Sequence, residues 1–385
     1  MAAGRCTGAA LLLALLMTAT GLHAQYYSSG QDPASVRWKQ LNSDFFRVIY
    51  PKGYEVTAQY VMNLLEYTRA LDTATLRADP KKIPVVLHNR TSISNASSLW
   101  APKRMDFYHV PPQNSYAQEW FQQLALHEYR HTVQLTKINQ GLTRVLSWIF
   151  GEQATAAVLG MYVPFWWIEG DAVAAETALS RSGRGRSPSF VMPLRAQFLG
   201  KGIYSLDKAF FGSYRDFTPN HYILGYHIVG KAREQYGPKI WDHTLDKVAK
   251  NPYMVVPFSE GIRDVSGYSK TGLYQNMMKE LKSEWQAQQQ AGERSAADSI
   301  PVPEKRIFTS YERPHLTAKG TIVAEKKALD EIARFVEIDE QGNERVIFTP
   351  GYYLPGSLTY AHEKIAWTER AYDPPPWVLS RSRGF

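Results

Sequence analysis

The stretch Leu124–Gln134, LALHEYRHTVQ, constrains the fold more than any other part of the chain. It sets His127 and His131 four positions apart among apolar residues, with Glu128 directly after the first. On a helix, residues i and i+4 share one face about a turn apart. Leu124, Ala125, Leu126 and Val133 seat such a helix in a core, so both imidazoles are held rigidly. Chance is a poor explanation, because this composition allows only roughly 0.01 matches to H-E-x-x-H.

Two imidazoles on one helical face can reach a single cation at about 2.0–2.1 Å. Glu128 then points beside the ion and can take a proton from a water that the metal has acidified. A catalytic zinc needs a third protein ligand and an open position. The chain's one cysteine, Cys6, lies in an apolar leader, so the ligand must be His, Asp or Glu. His88 and His109 lie in candidate strands. Glu169, in PFWWIEGDAVAAET, is the better candidate, because a helix-like run of alanines follows it. Glu176 falls two turns along the same face and could orient a ligand histidine as an acceptor. The run Phe165-Trp166-Trp167 reads as core or as a substrate-pocket wall.

H-E-x-x-H followed by W-x-x-E-G-x-A, here His127, Glu128, His131, Trp166, Glu169, Gly170 and Ala172, resembles the gluzincin zinc peptidases. The likeness is to the peptidase-MA-like group related to aminopeptidase N and thermolysin. It spans about residues 40–290. It implies Zn²⁺ held by His127, His131 and Glu169, with Glu128 as general base and a polypeptide as substrate. A carboxylate seven residues past the ligand Glu also occurs in aminopeptidase-N-like enzymes, and Glu176 fits it. The stretch YILGYHIVGKAREQYG looks like a later family helix. There Tyr222 is the implied oxyanion donor, with Tyr226 one turn on as the other candidate. By the same analogy MDFYHV, Met105–Val110, is the sheet-edge strand that pairs with substrate. Two departures stand out. The gap between His131 and Glu169 is longer than in aminopeptidase-N-like enzymes. The G-x-M-E-N element of those aminopeptidases is absent, so aminopeptidase specificity is not implied.

The patterning predicts an α+β domain. Asp44–Tyr50 reads as a strand, YEVTAQYVMNLLEYTRALDTAT as a long helix, and Ile83–Leu87 and Met105–Val110 as further strands. Ser115 with Gln118 resembles a capping box opening the motif helix. Apolar segments follow at Leu142–Phe150 and Ala154–Trp167. A helix begins near Thr218-Pro219 and stops at Gly237-Pro238, and a last one covers about Lys270–Gln290. The domain boundaries read as 1–24 signal peptide, 25–290 gluzincin-like domain, 291–305 linker and 306–385 β-propeller fragment.

After the linker the pattern changes to short strands with a weak repeat. Leu316 matches Leu358, Val323 matches Ile365 and Ala324 matches Ala366, each pair 42 positions apart. Periods of this size suggest propeller blades, here one or two of a TolB-like or WD-type propeller. A closed propeller needs more blades, so the expectation is a piece of a longer protein. Its first blade is expected to carry an exposed apolar face and an unpaired edge.

Arg5, the apolar run Ala9–Met17 and Leu22-His23-Ala24 read as a secretory signal cut after Ala24. The expected location is the periplasm or outside the cell, with envelope association left open. The rest of the chain has no membrane-span signal. The formal charge is +8, and Arg181–Arg215 concentrates seven basic residues against Asp207. That stretch reads either as a solvated loop or as a contact for an anionic surface or acidic substrate. Export argues against nucleic acid. Two functions follow: an exported zinc metallopeptidase, or an inactive envelope scaffold that binds a partner through its propeller.

Overall fold

A computed structural model describes residues 32–91, 94–112, 117–292, 305–353, 355–361, 363–371 and 381–384. The leader, Ser115 and most of the expected linker lie outside them. The N-terminal strands are β1 (Trp38–Asn42), β2 (Phe46–Pro51), β3 (Ile83–His88), β4 (Ala96–Trp100) and β5 (Lys103–Tyr108). They form one sheet in the order β1-β2-β3-β5-β4. β2, β3 and β5 run parallel, while β1 and β4 pair antiparallel at the two edges. β2 buries Phe46, Val48 and Tyr50, and β3 buries Ile83, Val85 and Leu87, the two-residue period of half-buried strands.

This order corrects one expectation. The strand within Met105–Val110 is not the sheet edge; β5 lies between β3 and β4. The edge is β4, ASSLW, whose polar sequence carries little strand signal.

Helix α1 (Glu55–Asp72) connects β2 to β3, and α2 (Trp120–Ile138) carries the histidine motif. α2 packs on the sheet through Leu124, Ala125, Tyr129 and Val133, and the Tyr129 ring meets Phe46 edge-on. Its cap differs from the expected Ser115–Gln118 box. The Glu119 carboxylate accepts from Phe121 N at 3.1 Å and Gln122 N at 2.6 Å. An ionised side chain at that end satisfies orphan N–H groups and complements the helix dipole.

The apolar segments after the motif become α3 (Gly141–Phe150) and α4 (Gln153–Tyr162). The second stops early because Pro164 opens α5 (Phe165–Leu179). α3 turns Thr143 inward, donating to Ala249 O at 2.8 Å, and leaves Trp148, Ile149 and Phe150 exposed. Trp166 and Trp167 are buried core, and only Phe165 reaches the surface.

The basic stretch is not a loop. It holds a short 3-10 turn at Arg184–Arg186, then α6 (Pro188–Gly200) and α7 (Leu206–Phe211). α8 (His221–Tyr236) follows, capped by Asn220 Oδ1 on Ile223 N and ended by Gly237 at φ 77°. α9 (Lys239–Lys250), α10 (Pro257–Ser266) and α11 (Lys270–Ala291) complete the helical part.

α5 and α8 cross backbone to backbone. A Cβ on Gly225 would lie 1.7 Å from Trp166 O, and one on Gly170 would lie 2.2 Å from the Gly225 carbonyl carbon. Only glycines permit this approach. It brings Glu169 of α5 and Tyr222 of α8 to one place.

Beyond the linker, β6 (Thr309–Leu316), β7 (Ile322–Ala328), β8 (Arg334–Ile338) and β9 (Glu344–Phe348) form an antiparallel meander. A second hairpin follows, β10 (Thr359–Ala361) with β11 (Lys364–Ala366). Its Ile365 and the first sheet's Val323 both sit on the second strand of a hairpin. The expected exposed apolar surface is present only in part: Leu316, Val346 and Ile347 are exposed, whereas the face carrying Phe335 is covered. Trp367 stacks on Phe348 at 4.7 Å, and Tyr353 also meets Phe335. Among the described residues no sheet closes into a barrel, and no helix is long and apolar enough to cross a membrane.

Candidate metal centre

The two histidines of α2 and Glu169 of α5 meet at one point. His127 Nε2 lies 3.2 Å from Glu169 Oε2 and 3.3 Å from His131 Nε2. His131 Nε2 lies 3.5 Å from the same carboxylate oxygen. A tetrahedral ion with bonds near 2.0–2.1 Å requires ligand atoms about 3.3 Å apart. The three distances fit that triangle. Among the described residues this is the one His/Cys/Asp/Glu group with metal-ligand spacing.

The surroundings fix which ring nitrogens face the point. Glu176, fully buried on α5, sets Oε2 3.0 Å from His127 Nδ1. Burial alone would raise Glu176, but His127 and Arg184 outweigh it and hold the carboxyl down at about 2. An ionised carboxylate only accepts and so favours a proton on His127 Nδ1, while Arg184 Nη2, 3.1 Å from the same nitrogen, is a competing donor. Gln134 Nε2 donates to Ile168 O and Asp171 Oδ2, which turns Gln134 Oε1 to His131 Nδ1 at 3.0 Å. His131 Nδ1 is therefore also the donor. Both Nε2 atoms and Glu169 Oε2 therefore face one point, the geometry of a candidate metal site; without a metal, a proton on His131 balances the carboxylate. Burial opposes charge on His131, but Glu169 outweighs it and raises that ring to about 9. Burial would raise Glu169, but the two histidines reverse this and hold it well below the carboxylate range.

Glu128, beside His127, is 8% exposed. Burial raises its carboxyl, with the two histidines pulling the other way. The Tyr222 ring lies 6.4 Å from that of His127. Burial and then the Glu169 carboxylate push its hydroxyl up to about 12, so it stays protonated at neutral pH. Tyr226 is directed elsewhere, packing against Gly185 and Phe190. His88 and His109 do not join the group. His88 pairs with Asp32 at 2.6 Å, and His109 contacts Tyr54.

Arg184 is the participant that charge counting concealed. Its Nε donates to Glu176 Oε1 at 2.7 Å and its Nη2 to Oε2 at 3.0 Å. Its guanidinium also lies 5.2 Å from the Tyr222 ring centroid. The flanking glycines explain its reach. A Cβ on Gly183 would meet Thr177 Cα at 2.3 Å, and one on Gly185 would meet the Tyr226 ring at 2.4 Å. The G-R-G strap lies flat against α5 and α8, and that pattern was its sequence signal.

A second buried network supports His131. Arg130 donates to Asp171 Oδ2 at 2.6 Å and to Asp72 Oδ1 at 3.0 Å, and Arg233 also pairs with Asp171. Asp171 in turn holds Gln134.

Removing the Glu176 acceptor tests the orienting role. Glu176→Ala is expected to weaken the binding of added Zn²⁺ about 10–100-fold, measured by chelator competition. Unchanged affinity would show that His127 is oriented by its own packing. The sequence matches no protein-family model, and a search of curated proteins found no matching relative.

Proposed function

We propose that this chain is a zinc-dependent metallopeptidase with a gluzincin-like catalytic domain. The observation that carries the proposal is the convergence of His127 Nε2, His131 Nε2 and Glu169 Oε2, with Glu128 buried beside them. Two imidazoles and one carboxylate suit zinc, whereas calcium and magnesium prefer all-oxygen sets. Zinc held there would polarise a carbonyl and acidify a water. Glu128 would act as general base toward the attacking water and return the proton to the leaving amine. Tyr222 retains its proton and serves as donor to the developing oxyanion. Glu176 and Arg184 keep His127 oriented, and Gln134 does the same for His131.

Strand β4 supports a polypeptide substrate. Ser98 of β4 lies 2.9 Å from Thr132 of α2, hydroxyl to hydroxyl, so the sheet edge runs beside the motif helix. Among the described residues nothing pairs with its outer side, which suits an extended peptide added as a further strand.

The test is metal analysis together with hydrolysis of a peptide library by the full chain. About one zinc per chain is expected, with activity lost to a chelator and restored by zinc. A metal-free protein that stays inactive after zinc is added would overturn the proposal.

A further inference from the structure

One aromatic residue of α5 is left without a task by the reading above. Trp166 and Trp167 are buried in the core, whereas Phe165, the first residue of the helix, is 48% exposed. Its position ties it to the metal centre. Phe165 and Glu169 are four residues apart, so they share one face of α5, one turn from each other. Helical side chains lean toward the N-terminus, so the Glu169 carboxylate leans back toward the turn that Phe165 begins.

α8 continues from Phe165 to the metal ligands. The Phe165 ring lies 4.7 Å from that of His221, His221 lies 4.5 Å from Tyr222, and Tyr222 lies 6.4 Å from His127, centroid to centroid. These are the spacings of neighbouring rings. An aromatic row therefore runs from a ligand histidine out to the surface. The close crossing at Gly170 and Gly225 sets it up, because it lays the first turns of α5 and α8 side by side.

The row is open along its length, since His221 and Tyr222 are half-buried and Phe165 is more exposed still. It is also uncharged. Tyr222 keeps its proton, and burial lowers the His221 pKa against the pull of Glu169, so both rings are neutral at neutral pH. Neutral ring faces and edges take another ring best, through apolar burial and offset or edge-on stacking. A methyl group reaches only a small part of that surface.

We propose that Phe165, His221 and Tyr222 form one wall of a specificity subsite, which selects polypeptides with a large apolar side chain, aromatic above all, beside the scissile bond. This rests on the zinc-peptidase reading of the same centre.

The test is calorimetric binding of hydroxamates, whose head group ligates zinc, to the zinc-loaded full chain. N-acetylphenylalanine hydroxamate and benzylsuccinic monohydroxamate place a benzyl group on either side of that head group. N-acetylalanine hydroxamate and methylsuccinic monohydroxamate are the methyl controls, and N-acetyllysine hydroxamate is the cationic one. At least one benzyl compound is expected to bind about tenfold or more tightly than its methyl control. Phe165→Ala, at a half-exposed position, should cut that ratio to about twofold or less with zinc content unchanged. Phe165→Trp should preserve the ratio, and so should Phe211→Ala, which removes an exposed ring elsewhere. Benzyl and methyl compounds binding equally, or a ratio that survives Phe165→Ala, would overturn the subsite and leave the metal centre standing. A lysine compound as tight as the phenylalanine one would also overturn it, since that describes a site for cations. Zinc that fails to bind, or hydroxamates that all fail to bind, would remove the metal reading and the subsite with it.

Discussion

Under the proposed function, Glu128→Gln is expected to lower peptide hydrolysis by about 10²-fold or more with zinc binding unchanged, the scale at which a lost general base is felt. The substitution keeps the side chain's shape and removes its ability to accept a proton. Glu128 is not one of the three converging groups, so the metal's protein ligands remain intact. Its burial raises the carboxyl's pKa, which makes the carboxylate a stronger proton acceptor than an exposed glutamate. The comparison requires both activity and metal content. Equal activity in the two forms would remove Glu128 from the chemistry. Zinc lost together with activity would instead make Glu128 a ligand.

The parts of this site that were legible in the sequence are those in which one residue's chemistry dictates its neighbours' spacing. His127 and His131 share a helical face, and Glu169 and Glu176 repeat that logic on α5, so both pairs appear as short local patterns. Long helices with regular apolar periods, such as α1 and α11, were equally readable. What escaped depends on contacts far apart in the chain. Arg184 belongs to a run of basic residues that looks solvated, and only its packing beneath α5 and α8 turns it toward Glu176. Strand β4 is nearly free of large apolar residues and becomes a strand because β5 offers it a partner. Helix α6 contains Pro193, which argues against a helix locally, yet Leu194 and Phe198 bury against the core and hold it. The start of α2 was misplaced because Ser115 and Gln118 mimic a cap, whereas Glu119 binds the free N–H groups.

Arg130 shows how a residue inside the motif acts without touching the reaction. It is 1% exposed and binds Asp171 of α5 and Asp72 of α1, so it ties α2 to both neighbours. Burial works against its charge, but the two carboxylates outweigh burial and raise its pKa. Arg130→Met is expected to destabilise the protein by about 3–5 kcal/mol, because it leaves buried carboxylates with too little positive charge. The loss would be read as a lower denaturation midpoint with unchanged denaturant slope. Asp171 would retain Arg233 and Gln134, so Asp72 bears most of the change. A second variant, Arg130→Met with Asp72→Asn, should recover part of the loss, since the amide removes the stranded charge. The same substitution loosens Asp171, then Gln134, and through it the tautomer of His131. Zinc affinity should fall in the single variant even under conditions where the protein is fully folded. A change below about 1 kcal/mol, with zinc affinity intact, would mean that packing around Tyr129 and Val133 alone positions the motif helix.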